Sequence, residues 1–409
     1  MTTENTGVTD TAYTQDEVVE MAAELLSRRY GGVAEFTQVT DLGGSGNATV
    51  LRARMTPTAF LPHRSVVIKY NPSTGHAIDD AALLREVVAY QFTTALGEDV
   101  RPGPVLFAHD LDRRILVLSD VGEGDTLADV LIQAQGEDRK EILRSLGRSL
   151  GQMHAGTADR EQDYETLLNR MLRQHPEYAE HQSLRDESLQ RSILIGADIL
   201  ADAGLPAPAD FVELAQQAAS ALSIGRERAF TPFDLSPDNV IVSQNLAFLD
   251  YEWAGYRNVG FDVACVIAGF PQFLFARPIS DEEAEIFISA WQRRVVHVWP
   301  RLADDIELHE LIVASLIGWA LSSVTTMYAG GIEGVVALSE GSADIEHDAR
   351  HSLLRPADQG PFSEEEILIR RDLYETFEAL ARYSAKCDSA ACEPVAQFGQ
   401  TVASRLREG

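Results

Sequence analysis

Two spacings of apolar residues divide this chain. Between Phe36 and Leu118, apolar and β-branched residues alternate with polar ones, the two-residue period of half-buried strands. The alternation predicts strands over 36–42, 48–54, 65–70, 104–108 and 114–119, broken once by a helical spacing near 79–96. After Asp120 the spacing lengthens to that of amphipathic helices, predicted over 126–134, 137–155, 163–173, 183–203 and 208–222. A short hairpin at 240–249 interrupts them, and helices resume from about 261 to the end.

Caps and breakers sharpen these boundaries. Thr14 and Glu17 form a capping-box signal opening a helix that runs through about Arg29 and stops at Gly31 and Gly32. Ser363 and Glu366 repeat that signal before a helix reaching roughly Lys386. Residues 1–13 are polar and are expected to be a disordered tail. The predicted fold class is α+β. A small antiparallel sheet with a single helix packed on it occupies 14–119, and a large, mostly helical lobe occupies 120–409, after a short connection near 119–124.

One apolar run changes the picture if misread. Leu311 to Tyr328 holds eighteen residues without a charge, near the lower limit for a membrane span. It carries five Ser or Thr residues, follows Glu307 and Glu310, and lacks Lys or Arg anchors. A buried core helix is therefore expected, and no membrane.

Composition is that of a globular protein: 409 residues, 45% hydrophobic and 24% charged. The charge is lopsided, with 34 basic against 63 acidic residues and a net charge of −29. Acidity serves solubility and also suits a cationic partner such as an amine, whereas nucleic acid is disfavoured. Cys265, Cys387 and Cys392 match neither a disulfide framework nor a zinc pattern, so a reducing, cytoplasmic setting is expected. The N-terminus shows no basic or apolar signal segment.

The hairpin carries the first candidate chemistry. Pairing residue 240 with 249 and 242 with 247 leaves a four-residue loop, and one further step places Asn239 opposite Asp250. Cross-strand neighbours have Cβ atoms about 5 Å apart. An amide oxygen and a carboxylate so placed suit a hard cation such as Mg²⁺. Asp234, in TPFDLSPDNV, stands five residues before Asn239, where a carboxylate can accept a hydroxyl proton. Upstream, Gly43, Gly44, Ser45, Gly46 and Asn47 lie between two predicted strands, where backbone amides can close over phosphates, although this is not a Walker A loop. Lys69 ends the apolar strand after Val66, Val67 and Ile68, and Glu86 follows on the predicted helix. A Lys on a strand paired with a Glu on the packed helix can aim its ammonium at nucleotide phosphates. Each signal alone has a bland reading as a turn, an edge lysine or a surface carboxylate. Their order is the one a bilobal kinase requires.

With these residues in place, the chain resembles the aminoglycoside phosphotransferase and choline kinase superfamily, small-molecule relatives of protein kinases. The resemblance covers about 36 to 270 and is best over FDLSPDNVIVSQNLAFLDYEWAGYRNVGFDVA, residues 233–264. It implies a bilobal, protein-kinase-like fold. It also implies that Lys69 holds the nucleotide's α- and β-phosphates with Glu86 fixing it, and that the backbone of Ser119, Asp120 and Val121 meets the adenine. Asp234 would orient or deprotonate the acceptor hydroxyl, Asn239 and Asp250 would hold Mg²⁺, and Glu252 would help a second ion. Asp262 would accept backbone bonds that stiffen the catalytic loop. The expected activity is ATP- and Mg²⁺-dependent O-phosphorylation of a small hydroxyl compound, with an amine-bearing acceptor favoured, aminoglycoside-like or an amino alcohol.

The departures define the alternative. Pro232 stands where family loops commonly carry His, and Phe233 follows it. An apolar Pro-Phe pair can fill the same space, with proline fixing its own φ; otherwise the chain is an impaired, nucleotide-binding pseudokinase with a regulatory role. His154, in a helix that resembles the one after the family's hinge, is expected to be a packed or capping residue. His347 and His351 mimic a zinc motif but lack a third ligand nearby, so no zinc site is expected.

Overall fold

The computed structural model describes residues 13–43, 48–243, 245–274, 277–343 and 353–407. Residues 1–12 of the tail expected over 1–13, the turn residues Gly44, Ser45, Gly46 and Asn47, and the His347 to His351 motif lie outside the described residues, whereas Tyr13 is placed, its N–H on the Tyr70 hydroxyl at 3.2 Å.

Strands β1 (Phe36–Asp41), β2 (Thr49–Met55), β3 (Ser65–Tyr70), β4 (Leu106–Asp110) and β5 (Ile115–Ser119) form one antiparallel sheet in the order β1-β2-β3-β5-β4. Helix α1 (Gln15–Tyr30) opens on the predicted capping box, with Glu17 Oε2 accepting the Thr14 N–H at 2.7 Å. Its apolar stripe, Val18, Ala22, Leu25 and Leu26, packs on Leu51, Ala53, Val66, Ile68 and Val117 of the sheet. The helix expected near 79–96 is split into α2 (Ala77–Asp80) and α3 (Ala82–Thr94), and α3 joins the larger core together with Leu106, Leu116 and Leu118. The sheet is thus covered on both faces, not by the single helix expected. The alternation of β3 sets which side chain goes where: Val66 and Ile68 face α1, so Val67 and Lys69 point the other way.

The rest is mostly helical. β6 (Asp125–Thr126) leads into α4 (Leu127–Gln133), α5 (Gly136–Thr157), α6 (Glu161–Gln174), α7 (Ala179–Asp202) and α8 (Ala209–Ala221). β7 (Arg228–Thr231), β8 (Val240–Val242), β9 (Leu246–Phe248) and β10 (Gly255–Asn258) follow. The chain ends in α9 (Gly260–Ile267), α10 (Asp281–Val295), α11 (Asp305–Ala329), α12 (Ile332–Glu340), α13 (Glu364–Ser384) and α14 (Cys392–Leu406). The antiparallel β7–β10 pair and the β6–β8 bridge were not predicted, because four-residue and two-residue strands are too short to show a period. Helix α11 is long and apolar enough to cross a membrane, yet Leu316, Ile317, Ala320, Leu321 and Val324 on it are buried in the protein. It crosses α7 closely at Gly196, where an added Cβ would lie 2.1 Å from the Leu321 carbonyl oxygen. The whole is a bilobal α+β fold with the cleft between the sheet and the helices.

Candidate active site

Lys69 is where the two halves meet. Its Nζ donates to Glu86 Oε1 on α3 and to Asp250 Oδ1 beyond β9, each at 2.8 Å. Burial alone would lower the Lys69 pKa, but the two carboxylates together hold it well above its ordinary value. Glu86 is buried, and its second oxygen accepts from Asn71 Nδ2 at 3.4 Å. Tyr90, one turn beyond Glu86 on α3, accepts the Asp250 N–H on its hydroxyl at 3.2 Å.

The hairpin register differs from expectation by one residue. Val240 pairs with Phe248, Ile241 with Ala247 and Val242 with Leu246, and the Leu249 N–H donates to the Asn239 carbonyl at 2.8 Å. Asn239 therefore stands opposite Leu249, not Asp250. The cause is a tighter loop, closed by the Ser243 N–H on the Asn245 carbonyl. Such a slip would turn Asp250 to the wrong side, but Asp250 adopts a left-handed φ of 56° and meets Lys69 all the same.

Asp234 sits on an unusual turn. Its N–H donates to the Pro232 carbonyl at 2.8 Å across Phe233, whose φ is 66°, so Phe233 is the centre of a γ-turn. Asp234 Oδ1 accepts the Ser236 N–H at 3.0 Å, and Oδ2 accepts from Asn239 Nδ2 at 3.3 Å. Burial pushes the Asp234 carboxyl up to about 7; the Ser236 N–H opposes this, and Asp250, Glu252 and Asp238 add repulsion. A carboxylate tuned near neutrality suits proton acceptance.

The expected residues gather around two cavities, whose borders are linked by the hydrogen bond from Asn239 to Asp234. One, of about 520 Å³, lies in the cleft and is bordered by Gly43, Lys69, Glu86, Asn239 and Asp250, with Ser119, Asp120 and Val121 on its far edge. The other, of about 300 Å³, is bordered by Asp234 and Phe233. Glu252 borders neither, and its effect on Asp234 is electrostatic. The Asp120 carboxylate is taken by Arg52, at 2.9 Å from Nε, and the Ser119 N–H is spent on the Val105 carbonyl at 2.8 Å.

A family model described as the phosphotransferase enzyme family matches residues 57–304, more than half of the chain, a span that holds Lys69, Glu86, Asp234, Asn239 and Asp250. The chain belongs to that family. This phosphotransferase is accordingly a small-molecule kinase by family, as the loop at 231–240 implied. No curated protein matches its sequence. Among solved structures it is similar to choline kinase from Cryptosporidium parvum Iowa II, at 11% identity and a TM-score of 0.49, covering 88% of this chain and 95% of that one. It is also similar to choline kinase LicA from Streptococcus pneumoniae, at 15% identity and a TM-score of 0.45, covering 90% and 99%. It is also similar to a streptomycin–ATP–APH(2")-IIa ternary complex, at 11% identity and a TM-score of 0.44, covering 82% and 99%.

Among the described residues no three His, Cys, Asp or Glu side chains cluster as a ready-made metal cage. The donors nevertheless suit Mg²⁺, which is commonly held by one or two carboxylates and completed by phosphate and water. Asn239 spends its Nδ2 on Asp234 and keeps its oxygen available, and Asp250 gives Lys69 only Oδ1. Both are oxygen donors on the border of one cavity.

Other residues of the phosphotransferase site were not anticipated. Arg85, next to Glu86, donates to Gln182 Oε1 at 2.8 Å and Asp186 Oδ2 at 2.7 Å on α7, and Arg257 joins the same carboxylate at 3.2 Å. This network ties α3 to the segment carrying Asp250. Tyr90 carried a signal, its spacing four beyond Glu86 on one helix face; the Asp186 pairings carried none. His154 is buried as expected. Its Nδ1 accepts the indole N–H of Trp291 at 3.0 Å, so its proton resides on Nε2, which donates to Asp262 Oδ2 at 3.1 Å. Asp262 thus takes a side-chain donor from α5 where backbone donors from the catalytic loop were expected, because α9 turns it inward toward α5.

Proposed function

We propose that this phosphotransferase moves the γ-phosphate of ATP to a hydroxyl of a small molecule. The observation that carries the reading is the Glu86–Lys69–Asp250 chain of contacts, each 2.8 Å, set on the border of the larger cavity. In that reading Lys69 binds the α- and β-phosphates with Glu86 orienting it, the loop from Gly43 to Asn47 covers them, and the backbone of Ser119 to Val121 meets the adenine. Asn239 and Asp250 would hold Mg²⁺, with Glu252 beside a second ion. When bound, the metal would neutralise charge on the phosphate oxygens.

The remaining work is positioning and one proton. The acceptor lies in the smaller cavity with its hydroxyl at Asp234, which receives the proton as the oxygen attacks phosphorus. Asn239 and the Ser236 N–H fix the carboxylate while its pKa near 7 keeps it ready to take that proton. Pro232 and Phe233 support this geometry from within the core: Phe233 stacks on Trp319 with centroids 5.2 Å apart, and both chain neighbours of the turn are buried. That packing favours a working loop over an impaired one. The expectation of an amine-bearing acceptor rests on the acidity of the whole chain, and the lining beside Asp234 adds nothing to it. A reducing compartment fits three free cysteines.

Asp234→Asn tests the proposal. ADP release with an accepted alcohol is expected to fall by about a hundredfold or more, while Mg-ATP still shifts the melting temperature. Unchanged turnover overturns the role of Asp234.

A further inference from the structure

The cavity beside Asp234 has a lining at odds with the rest of the molecule. It measures about 300 Å³ and is enclosed by α7, α9, α11, α12 and the loops at 233–236 and 271–273. The chain holds 63 acidic residues, yet among the described residues lining this cavity Asp234 is the sole charged side chain. Leu189, Ile193, Leu222 and Val335 supply aliphatic wall, and Phe233 and Trp319 supply aromatic wall. An ammonium buried there would find one carboxylate, the same group that must receive the hydroxyl proton, and any further amine would be left unpaired at high cost.

The aromatic rings do not replace the missing carboxylates. The Arg257 guanidinium lies 4.6 Å from the centre of the Phe233 ring, and that of Arg185 lies 3.9 Å from the centre of the Trp253 ring, another lining residue. The rings already hold a cation each, and these fixed positive charges oppose another. Trp319 adds its surface by stacking with Phe233, and its indole N–H is spent on the Phe261 carbonyl at 2.7 Å.

Three polar side chains of the lining have their donors committed elsewhere. Ser192 and Ser322 donate their hydroxyl protons back to the Leu189 and Trp319 carbonyls, at 2.8 and 3.1 Å. Gln272 donates its Nε2 to Ser323 Oγ at 3.3 Å, which leaves its carbonyl oxygen as acceptor. These three side chains therefore offer lone pairs to a ligand that brings O–H donors on an apolar body.

We infer that the acceptor is a neutral, largely apolar molecule carrying hydroxyls, and not a polyamine or an amino alcohol. This rests on the phosphotransfer reading above and names the substrate class of the same site. The test compares ADP release with Mg-ATP for naphthylethanol and cyclohexylethanol against the same skeletons bearing an aminomethyl group, alongside choline and an aminoglycoside. For the wild-type chain kcat/KM is expected to favour each neutral member over its charged counterpart by about tenfold or more. Val335→Glu and, independently, Ser322→Asp place a carboxylate in the wall and are expected to shift that ratio toward the amines, with the Mg-ATP thermal shift retained. Preference of the wild-type chain for the aminated skeletons, choline or the aminoglycoside overturns the inference and leaves the phosphotransfer reading standing. ADP release no higher than that of Asp234→Asn with every acceptor of either charge overturns both.

Discussion

Phe233 occupies a conformation that a residue with a Cβ rarely adopts, φ 66°, directly before the proposed catalytic carboxylate. The surrounding core holds it there: Trp319 stacks on it, Phe261 packs at 5.9 Å between centroids, and Arg257 covers it. Strain of this kind persists where neighbours over-determine it, and here it aims Asp234. The packing, with the γ-turn bond to the Pro232 carbonyl, already supplies the support a loop histidine would give. Pro232→His is therefore expected to change kcat by less than about threefold; a large gain in ADP release would show that the native loop is impaired. Phe233→Gly relaxes the turn but removes the stack, so kcat is expected to fall even if the protein stays folded. A rise in kcat would count against packing as the aiming device.

Between elements, the decisive contacts join α3 and α7. Arg85 and Arg257 share the Asp186 carboxylate, and Arg85 is almost fully buried. Asp186→Ala leaves two guanidinium groups facing each other. We expect a loss of about 2 kcal/mol in stability, less than for a fully enclosed pair because Asp186 is half-exposed. Freed from α7, α3 would hold Glu86 less well, so the KM for ATP should rise; an unchanged KM would limit the network to a structural role. The α7–α11 crossing gives a second expectation. Gly196→Ala forces a Cβ against the Leu321 carbonyl oxygen, 2.1 Å away before relaxation. Denaturant titration should show a loss of about 2 kcal/mol.

These elements also mark how much was legible. Strands, most helices and the capping boxes at Thr14 and Ser363 follow from local periodicity and side-chain chemistry, which act within a few residues; a third box, at Ser280 and Glu283, was not read although its signal is the same. Lys69 and Glu86 could be placed because strand and helix alternation fixes the faces they share. The hairpin slip was not legible, since a tighter turn and a left-handed Asp250 compensate each other without trace in the apolar pattern. The lining of the cavity beside Asp234 was equally hidden: its walls come from segments more than a hundred residues apart, Ser192 and Trp319 among them.

At the scale of the whole molecule, buried carboxyls set the response to pH. Burial pushes Asp372 on α13 up to about 7, with the Gln272 N–H opposing and Glu375 adding to the rise. A carboxyl whose folded pKa is raised costs nothing below its unfolded value, about 3.9. The cost grows as pH climbs from there toward 7 and is constant above. Stability should therefore fall between pH 5 and 8 by an amount that Asp372→Asn reduces, read from denaturation midpoints at about those two values. An identical slope in the variant would assign the pH dependence elsewhere. Asp372 also reaches the cavity beside Asp234, since its Oδ2 accepts the N–H of the lining residue Gln272 at 3.1 Å. The contact between Lys69 and Asp250 spans 181 residues and, counted with Glu86, leaves this trio in the cleft with one negative charge more than neutrality. A nucleotide entering it adds only more of the same sign. In the proposed phosphotransfer a counter-ion would then travel in with the nucleotide, so ATP binding is expected to track the supply of divalent cation and not the concentration of ATP alone.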